Sequence, residues 1–139
     1  MKRNILLLLL LSVVLISCEK SVDDFTIRRT KRMLCRKCWS VTYVRDPNFS
    51  LSADYFNGWV LCFGEKGAFE AANGNQIYGG TYTLSESSGK KILDINYTQS
   101  PAGAVAVFQG EMRIDYLHRT SMGWINQFGQ FFDLENKSN

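Results

Sequence analysis

The chain has 139 residues and a formal net charge of +3, and 45% of its residues are hydrophobic. This length fits one domain, and the hydrophobic content excludes a disordered chain. Residues 18–38 carry a net charge of +4 and residues 39–139 carry −3. The part after residue 17 is therefore nearly neutral, which argues against a global nucleic-acid binder.

The chain opens with a short basic segment and an apolar run. Lys2 and Arg3 precede a 12-residue run from Ile5 to Ile16. A membrane-spanning helix needs about 20 apolar residues, so this run is too short to span. The layout is that of a secretory signal peptide, which we assign to residues 1–17.

The end of the apolar run, Leu15-Ile16-Ser17-Cys18, resembles the lipobox of bacterial lipoproteins. The resemblance implies cleavage before Cys18 and a lipid on its thiol, so the expected partner is a membrane. The alternative is an ordinary secreted protein with a cysteine at its cleavage site. The acidic residues after Cys18 resemble surface-export signals of Bacteroidetes lipoproteins. They imply a lipid anchor in the cell outer membrane, at its periplasmic face or the cell surface.

Residues 18–37 are predicted to form an acylated, polar and basic tether with at most a short helix. Their positive charge is concentrated in Arg28–Lys37. One interpretation is a patch that contacts anionic lipid phosphates near the anchor. The other interpretation, which we favour, is a solvated face of a tether or helix.

Three cysteines remain once Cys18 is lipidated, and an exported chain can form disulfides. Three thiols permit one bridge, either Cys38–Cys62 or Cys35–Cys62. No second close cysteine pair accompanies Cys35 and Cys38, and His118 is the only histidine. We therefore expect no metal site and no cofactor.

Short segments of alternating character follow Lys37. "WSVTYV", "GTYTL", "KILDINY" and "EMRIDYL" alternate apolar and polar residues, and glycine-rich or polar turns separate them. Successive side chains of a strand face opposite sides, so this pattern predicts half-buried antiparallel strands. Eight or nine such strands predict an all-β sandwich or barrel over residues 38–136, followed by a tail at 137–139.

The same segments resemble the lipocalin-like lipoproteins of Bacteroidetes-type bacteria. The resemblance rests on Trp39, "WVLCFGEKGAFEA", "YGGTYTLSESSGKKILDI", "GEMRIDYL" and "GWIN…FFDLE". It implies an antiparallel up-and-down β-barrel of about eight strands, with a tryptophan at one end. It also implies an interior able to hold an apolar ligand.

Strand alternation places a set of aromatic residues inside such a barrel. The candidates for contact with a small hydrophobic or amphipathic ligand are Trp39, Tyr43, Tyr82, Tyr97, Tyr116 and Trp124. A buried tyrosine hydroxyl needs a partner, so the tyrosines could bind the polar end of a ligand. The interpretation that we favour is that they are core residues whose hydroxyls reach the barrel rim or the backbone, because aromatic residues at strand spacing are usually core.

A second function is open to the long loop from Arg45 to Gly58. It carries Phe49, Tyr55 and Phe56, and aromatic residues are enriched in interface cores. The alternative to ligand binding is therefore a protein-interaction or inhibitor module with a filled barrel.

No nucleophile elbow or phosphate-binding loop is present. Asp94, Glu111 and Asp115 could do acid–base work only if two of them converged, so we expect no enzyme.

Overall fold

The computed structural model describes residues 26–136. They form a helix, α1, over residues 26–34, followed by eight strands, β1 to β8. The strands span Trp39–Arg45, Val60–Phe63, Ala68–Asn73, Gln76–Ser87, Lys90–Tyr97, Gly110–Leu117, Ser121–Asn126 and Phe131–Asn136. Short 3-10 helices lie at Ala53–Phe56 and Gly103–Phe108. The signal peptide, Cys18 and the tail at 137–139 lie outside the described residues.

The eight strands form a closed barrel in chain order, and each strand is antiparallel to its neighbours. The prediction of an antiparallel up-and-down barrel of about eight strands is confirmed. Closure removes the free edges of an open sheet, except along the seam between β1 and β2. The seam between β1 and β2 is short, because Trp39 and Leu61 are its one registered pair. β1 pairs mainly with β8, from Trp39 opposite Asn136 to Arg45 opposite Phe131.

The barrel interior is filled by side chains. Aromatic rings occupy its whole length, and the largest fully buried ones belong to Trp39, Trp124, Phe56, Phe108 and Phe132. Phe108 contacts Phe132 and Trp124 with ring centroids 5.0 and 5.4 Å apart. An eight-stranded barrel is narrow enough for its own side chains to fill it, and that is the arrangement here.

Helix α1 is docked against one end of the barrel, which we call the helix end. Leu34 is fully buried, and the Trp39 indole N–H donates to the Leu34 carbonyl at 3.0 Å. That carbonyl lies in the last turn of α1, where carbonyls lack partners within the helix. Residues 26–34 of the predicted tether thus form a short helix, which the prediction allowed, and this helix is docked on the barrel. No helix among the described residues is long and apolar enough to cross a bilayer.

A disulfide bond joins Cys38 to Cys62, one of the two pairings that the sequence left open. These cysteines directly adjoin the Trp39–Leu61 pair, the one registered pair between β1 and β2. The bond therefore holds the seam where the hydrogen-bonded ladder is shortest. Cys35 is a free, half-buried thiol.

Two β-bulges reverse the expected alternation. The register shifts between Val41 and Tyr43 in β1, and between Ile114 and Tyr116 in β6. An extra residue on one strand moves every later side chain to the opposite face. After the β1 bulge it is therefore Val44, not Tyr43, that packs against the core.

Candidate functional site

The six aromatic residues predicted to line the interior divide into two groups. Trp39, Tyr82 and Trp124 are buried in the core, and Tyr97 packs against it. Tyr43 and Tyr116 lie on the outer wall instead, because each directly follows a bulge. Tyr43 is 50% exposed. The structure therefore corrects the prediction that four tyrosines surround one interior site.

The hydroxyls of the two inner tyrosines form hydrogen bonds within the protein. Tyr82 donates to the Gly64 carbonyl at 2.9 Å, and its oxygen lies 3.2 Å from the Cys35 sulfur. Tyr97 donates to the Val105 carbonyl at 2.9 Å. Burial raises the pKa of both hydroxyls, so they remain protonated donors. These bonds run to the two ends of the barrel and do not converge on a common point.

Tyr116 belongs to a small cluster on the outer wall. Its ring lies over Gly123, where a Cβ atom would collide with it, and beside the ring of His118. Its hydroxyl donates to the Asp133 carboxylate. Burial, followed by this hydrogen bond, raises the pKa of Tyr116 to about 12. The cluster covers the backbone of β7 opposite the β6 bulge.

The acidic residues that could have formed an acid–base pair also lie outside the core. Asp94 is opposite Glu111 in the β5–β6 ladder. Asp115 is exposed in the β6 bulge region. Within residues 26–136 no three His, Cys, Asp or Glu side chains group as metal ligands.

The end of the barrel opposite α1, which we call the far end, carries the loop at 45–58. Its first half is organised around the Asp46 carboxylate, which accepts hydrogen bonds from four groups within the loop. These are the Asn48, Ser50 and Leu51 amides at 2.9 to 3.1 Å and the Ser50 hydroxyl at 2.5 Å. Bonds from Ser50 and Asn48 lower the pKa of Asp46 to about 2.

A second polar network connects this loop to the β7–β8 turn. Gln130 donates to Asp46 at 3.2 Å and accepts from the Asn126 side chain at 2.8 Å. Asn126 also accepts from the amides of Phe128 and Gln130 and donates to the Val107 carbonyl. Asp46, Asn126 and Gln130 are all buried. The network therefore holds three connections of the far end in one arrangement.

The three aromatic residues predicted for an interaction loop have different positions. Phe49 is 94% exposed and Tyr55 is 61% exposed. Phe56 is 1% exposed and packs against Phe108 and Phe132, so its assignment to an interaction surface is wrong. The Ala53–Phe56 helix turns Phe56 into the barrel mouth and leaves Tyr55 in solvent.

The structure adds Phe128, which the sequence analysis missed, to the exposed aromatic residues of the far end. Phe128 is 61% exposed in the β7–β8 turn, and Gln130 connects that turn to Asp46. Phe49 has a φ of +55°, which is unusual for a bulky side chain. In the sequence, Phe128 could have been identified as an aromatic residue in a turn that contains a glycine. We call Phe49, Tyr55 and Phe128 the far-end aromatic set.

The helix end is basic. Apart from Arg45, every lysine and arginine among residues 26–136 lies on α1, in the segment after it, on a neighbouring turn, or in the cleft described next. A cleft of about 410 Å³ lies between α1 and the β5–β6 ladder. Its lining includes Arg29, Met33, Lys90, Lys91 and Arg113. Arg29 belongs to the basic segment noted in the sequence, and Asp115 and Tyr116, which also line the cleft, were candidates for other roles. Nothing in the sequence indicated Lys90, Lys91 or Arg113.

Comparison with known proteins identifies the fold. No protein-family model and no curated protein matches the chain. The crystal structure of a DUF4847 family protein from Bacteroides vulgatus is similar, with a TM-score of 0.57 and 11% identity over 79% of this chain and 99% of that one. An NMR structure of a protein from Burkholderia xenovorans has a TM-score of 0.48 and 12% identity over 80% of this chain and 88% of that one. The Bacteroides protein thus has a similar fold.

Proposed function

We propose that this protein is a lipid-anchored, lipocalin-like barrel of the outer membrane that binds a partner protein through the far-end aromatic set. The barrel serves as a rigid scaffold and has no catalytic role. The observation that carries the proposal is Phe49, which is 94% exposed on a loop held by the Asp46 network.

The packed interior favours this role over an interior ligand site. Trp39 and Leu34 fill the helix end, and Phe56 and Phe108 fill the far end. A ligand of drug-like size needs a cavity of about 300 Å³ or more. Opening one here would separate aromatic rings that are now in contact, with a large loss of packing energy.

Preorganisation supports binding at the far end. A loop that is already fixed loses little conformational entropy when it binds a partner. The positive φ of Phe49 is the kind of local strain that the surrounding structure must hold in place, and such residues cluster at functional sites. Exposed aromatic residues on a rigid support are the usual anchors of protein interfaces.

Site-specific photo-crosslinking tests the partner. A benzophenone amino acid replaces Phe49 in cells that make the full chain, and the same amino acid replaces Glu86 as the control. Glu86 is exposed near the end of β4, at the helix end of the barrel. We expect a discrete adduct from position 49 and none from position 86. Equal adducts from both positions, or none from position 49, would exclude the proposal.

The lipid anchor and the absence of a ligand from the packed interior are tested separately. An alkyne-tagged fatty acid should label the wild type and a Cys35→Ala variant, and Cys18→Ala should abolish the label. Solvent extraction of purified Cys18→Ala protein, followed by mass spectrometry, should yield no stoichiometric hydrophobic compound. A compound bound at one per chain would favour the interior ligand site instead.

A further inference from the structure

We propose that the cleft between α1 and the β5–β6 ladder is a binding site for a phosphate-bearing amphiphile, a function separate from the far-end aromatic set. Three elements that are distant in sequence converge there. Helix α1 contributes Arg29, the start of β5 contributes Lys90 and Lys91, and β6 contributes Arg113. The ladder places Ile92 opposite Arg113 and Lys91 opposite Ile114. Lys90 and Arg113 therefore lie on one face of the sheet and Lys91 on the other, and all three line the cleft.

The positive charge of the cleft is not compensated by ion pairs. Among the described residues, none of Arg29, Lys90, Lys91 and Arg113 has a carboxylate within 4.0 Å. Among the described residues that line the cleft, Asp115 is the one acidic residue. The nearby Asp133 carboxylate accepts the Tyr116 hydroxyl. Like charges that converge without partners repel each other, and an anion between them would remove that repulsion.

The cation types and the volume favour phosphate with an attached group. Arginine presents a planar fork of donors that matches phosphate oxygens, and lysine adds a point charge. The cleft volume of about 410 Å³ falls within the range of small-molecule sites and exceeds what a bare phosphate fills. Met33, Ile114 and Leu117 contribute apolar surface beside the cations. This combination suits a phosphate ester whose neighbouring part is apolar.

Two sources could supply such a group: a phospholipid headgroup or a soluble phosphate ester. The headgroup source rests on the proposed anchor. The eight residues from Cys18 to the start of the described chain span at most about 28 Å when extended, so the anchor would keep the helix end near the bilayer. The soluble source does not depend on the anchor. The chemistry at the cleft is the same in both cases.

The test uses the full mature chain with Cys18→Ala, so that the anchor cannot contribute to binding. The cleft variant is Arg29→Gln, Lys90→Gln and Arg113→Gln. The control is Arg28→Gln, Lys31→Gln and Arg119→Gln, which removes the same charge from positions outside this cleft. Unfolding temperatures establish that both variants fold.

The probes are glycerol 3-phosphate, measured by NMR titration, and vesicles of phosphatidylglycerol or phosphatidylcholine, measured by sedimentation. We expect saturable binding of at least one phosphate probe, weakened at least tenfold in the cleft variant and less than twofold in the control. Binding of glycerol 3-phosphate indicates a soluble ester, and binding of phosphatidylglycerol vesicles alone indicates a headgroup. Equal weakening in both variants, or no saturable binding, would overturn the proposal. If the wild type carries no fatty-acid label at Cys18, the lipid anchor is refuted. The binding measurements on the cleft are unaffected by that outcome.

Discussion

The two ends of the barrel are stabilised in different ways. At the far end, aromatic rings fill the mouth, and buried polar groups fix the loops that cover it. At the helix end, a disulfide holds the short seam, an indole hydrogen bond holds the docked helix, and many cations among the described residues have no ion pair. A region that satisfies its polar groups internally can present apolar residues rigidly. A region that leaves its charges unpaired retains electrostatic free energy for a ligand.

The largest expected effect separates two adjacent far-end residues. Phe56→Ala should destabilise the fold by about 3–5 kcal/mol, because it opens a cavity among Phe108 and Phe132. Tyr55→Ala should change stability by less than about 0.5 kcal/mol, because Tyr55 is 61% exposed. Urea unfolding of both variants checks this pair. Similar losses in both would mean that Tyr55 also supports the core.

The disulfide provides the corresponding test at the helix end. Replacement of Cys38 and Cys62 by serine should cost about 2–4 kcal/mol, because the bond closes a 24-residue separation next to the shortest ladder. Cys35→Ser is the matched control, since Cys35 is a free thiol. Guanidinium unfolding measures both. If reduction left the midpoint unchanged, the seam would not depend on the bond.

Acid should weaken the far end through Asp46. Its pKa is about 2 in the folded protein and near 4 in an unfolded chain, so the stabilisation is complete above pH 4. As the pH falls from 4 to 2, the unfolded chain takes up the proton first, and the stabilisation is lost. Asp46→Asn should reduce the fall in melting temperature over this range. An identical pH profile in the variant would contradict the assignment.

A smaller effect is expected at Tyr116, which lies in the lining of the cleft. Tyr116→Phe removes the hydrogen bond to Asp133 and should cost about 1 kcal/mol, since the site is partly solvated. The ring should remain over Gly123, so the fold should be unchanged. Thermal unfolding gives the cost, and the glycerol 3-phosphate titration gives the effect on the cleft. A loss of several kcal/mol would indicate that the hydroxyl holds the β6 bulge.

The sequence supported the barrel because alternation survives in most strands and turns mark their ends. It failed at Tyr43 and Tyr116 because a bulge depends on how two strands pair, which alternation within one strand does not encode. Phe56 was misplaced for a related reason. The turn of 3-10 helix that directs it inward has no strong sequence signal.

The two proposed binding surfaces could be predicted from the sequence to different degrees. Phe49 and Tyr55 could be identified because they lie together on one long loop. The cleft could not, because Arg29 lies far along the chain from Lys90 and Arg113, and the closed sheet brings the three together. A site whose residues come from distant parts of the chain can be identified only from the folded structure.

The pairing of β1 with β8 has a consequence for how the protein is made. The first strand of the barrel has its main partner in the last, which ends at Asn136, and β2 offers it one registered pair. A chain that emerges from the ribosome N-terminus first cannot complete the barrel until β8 has emerged. Closure is thus a late and long-range event in folding, and the barrel stays open while the strands before β8 are synthesised.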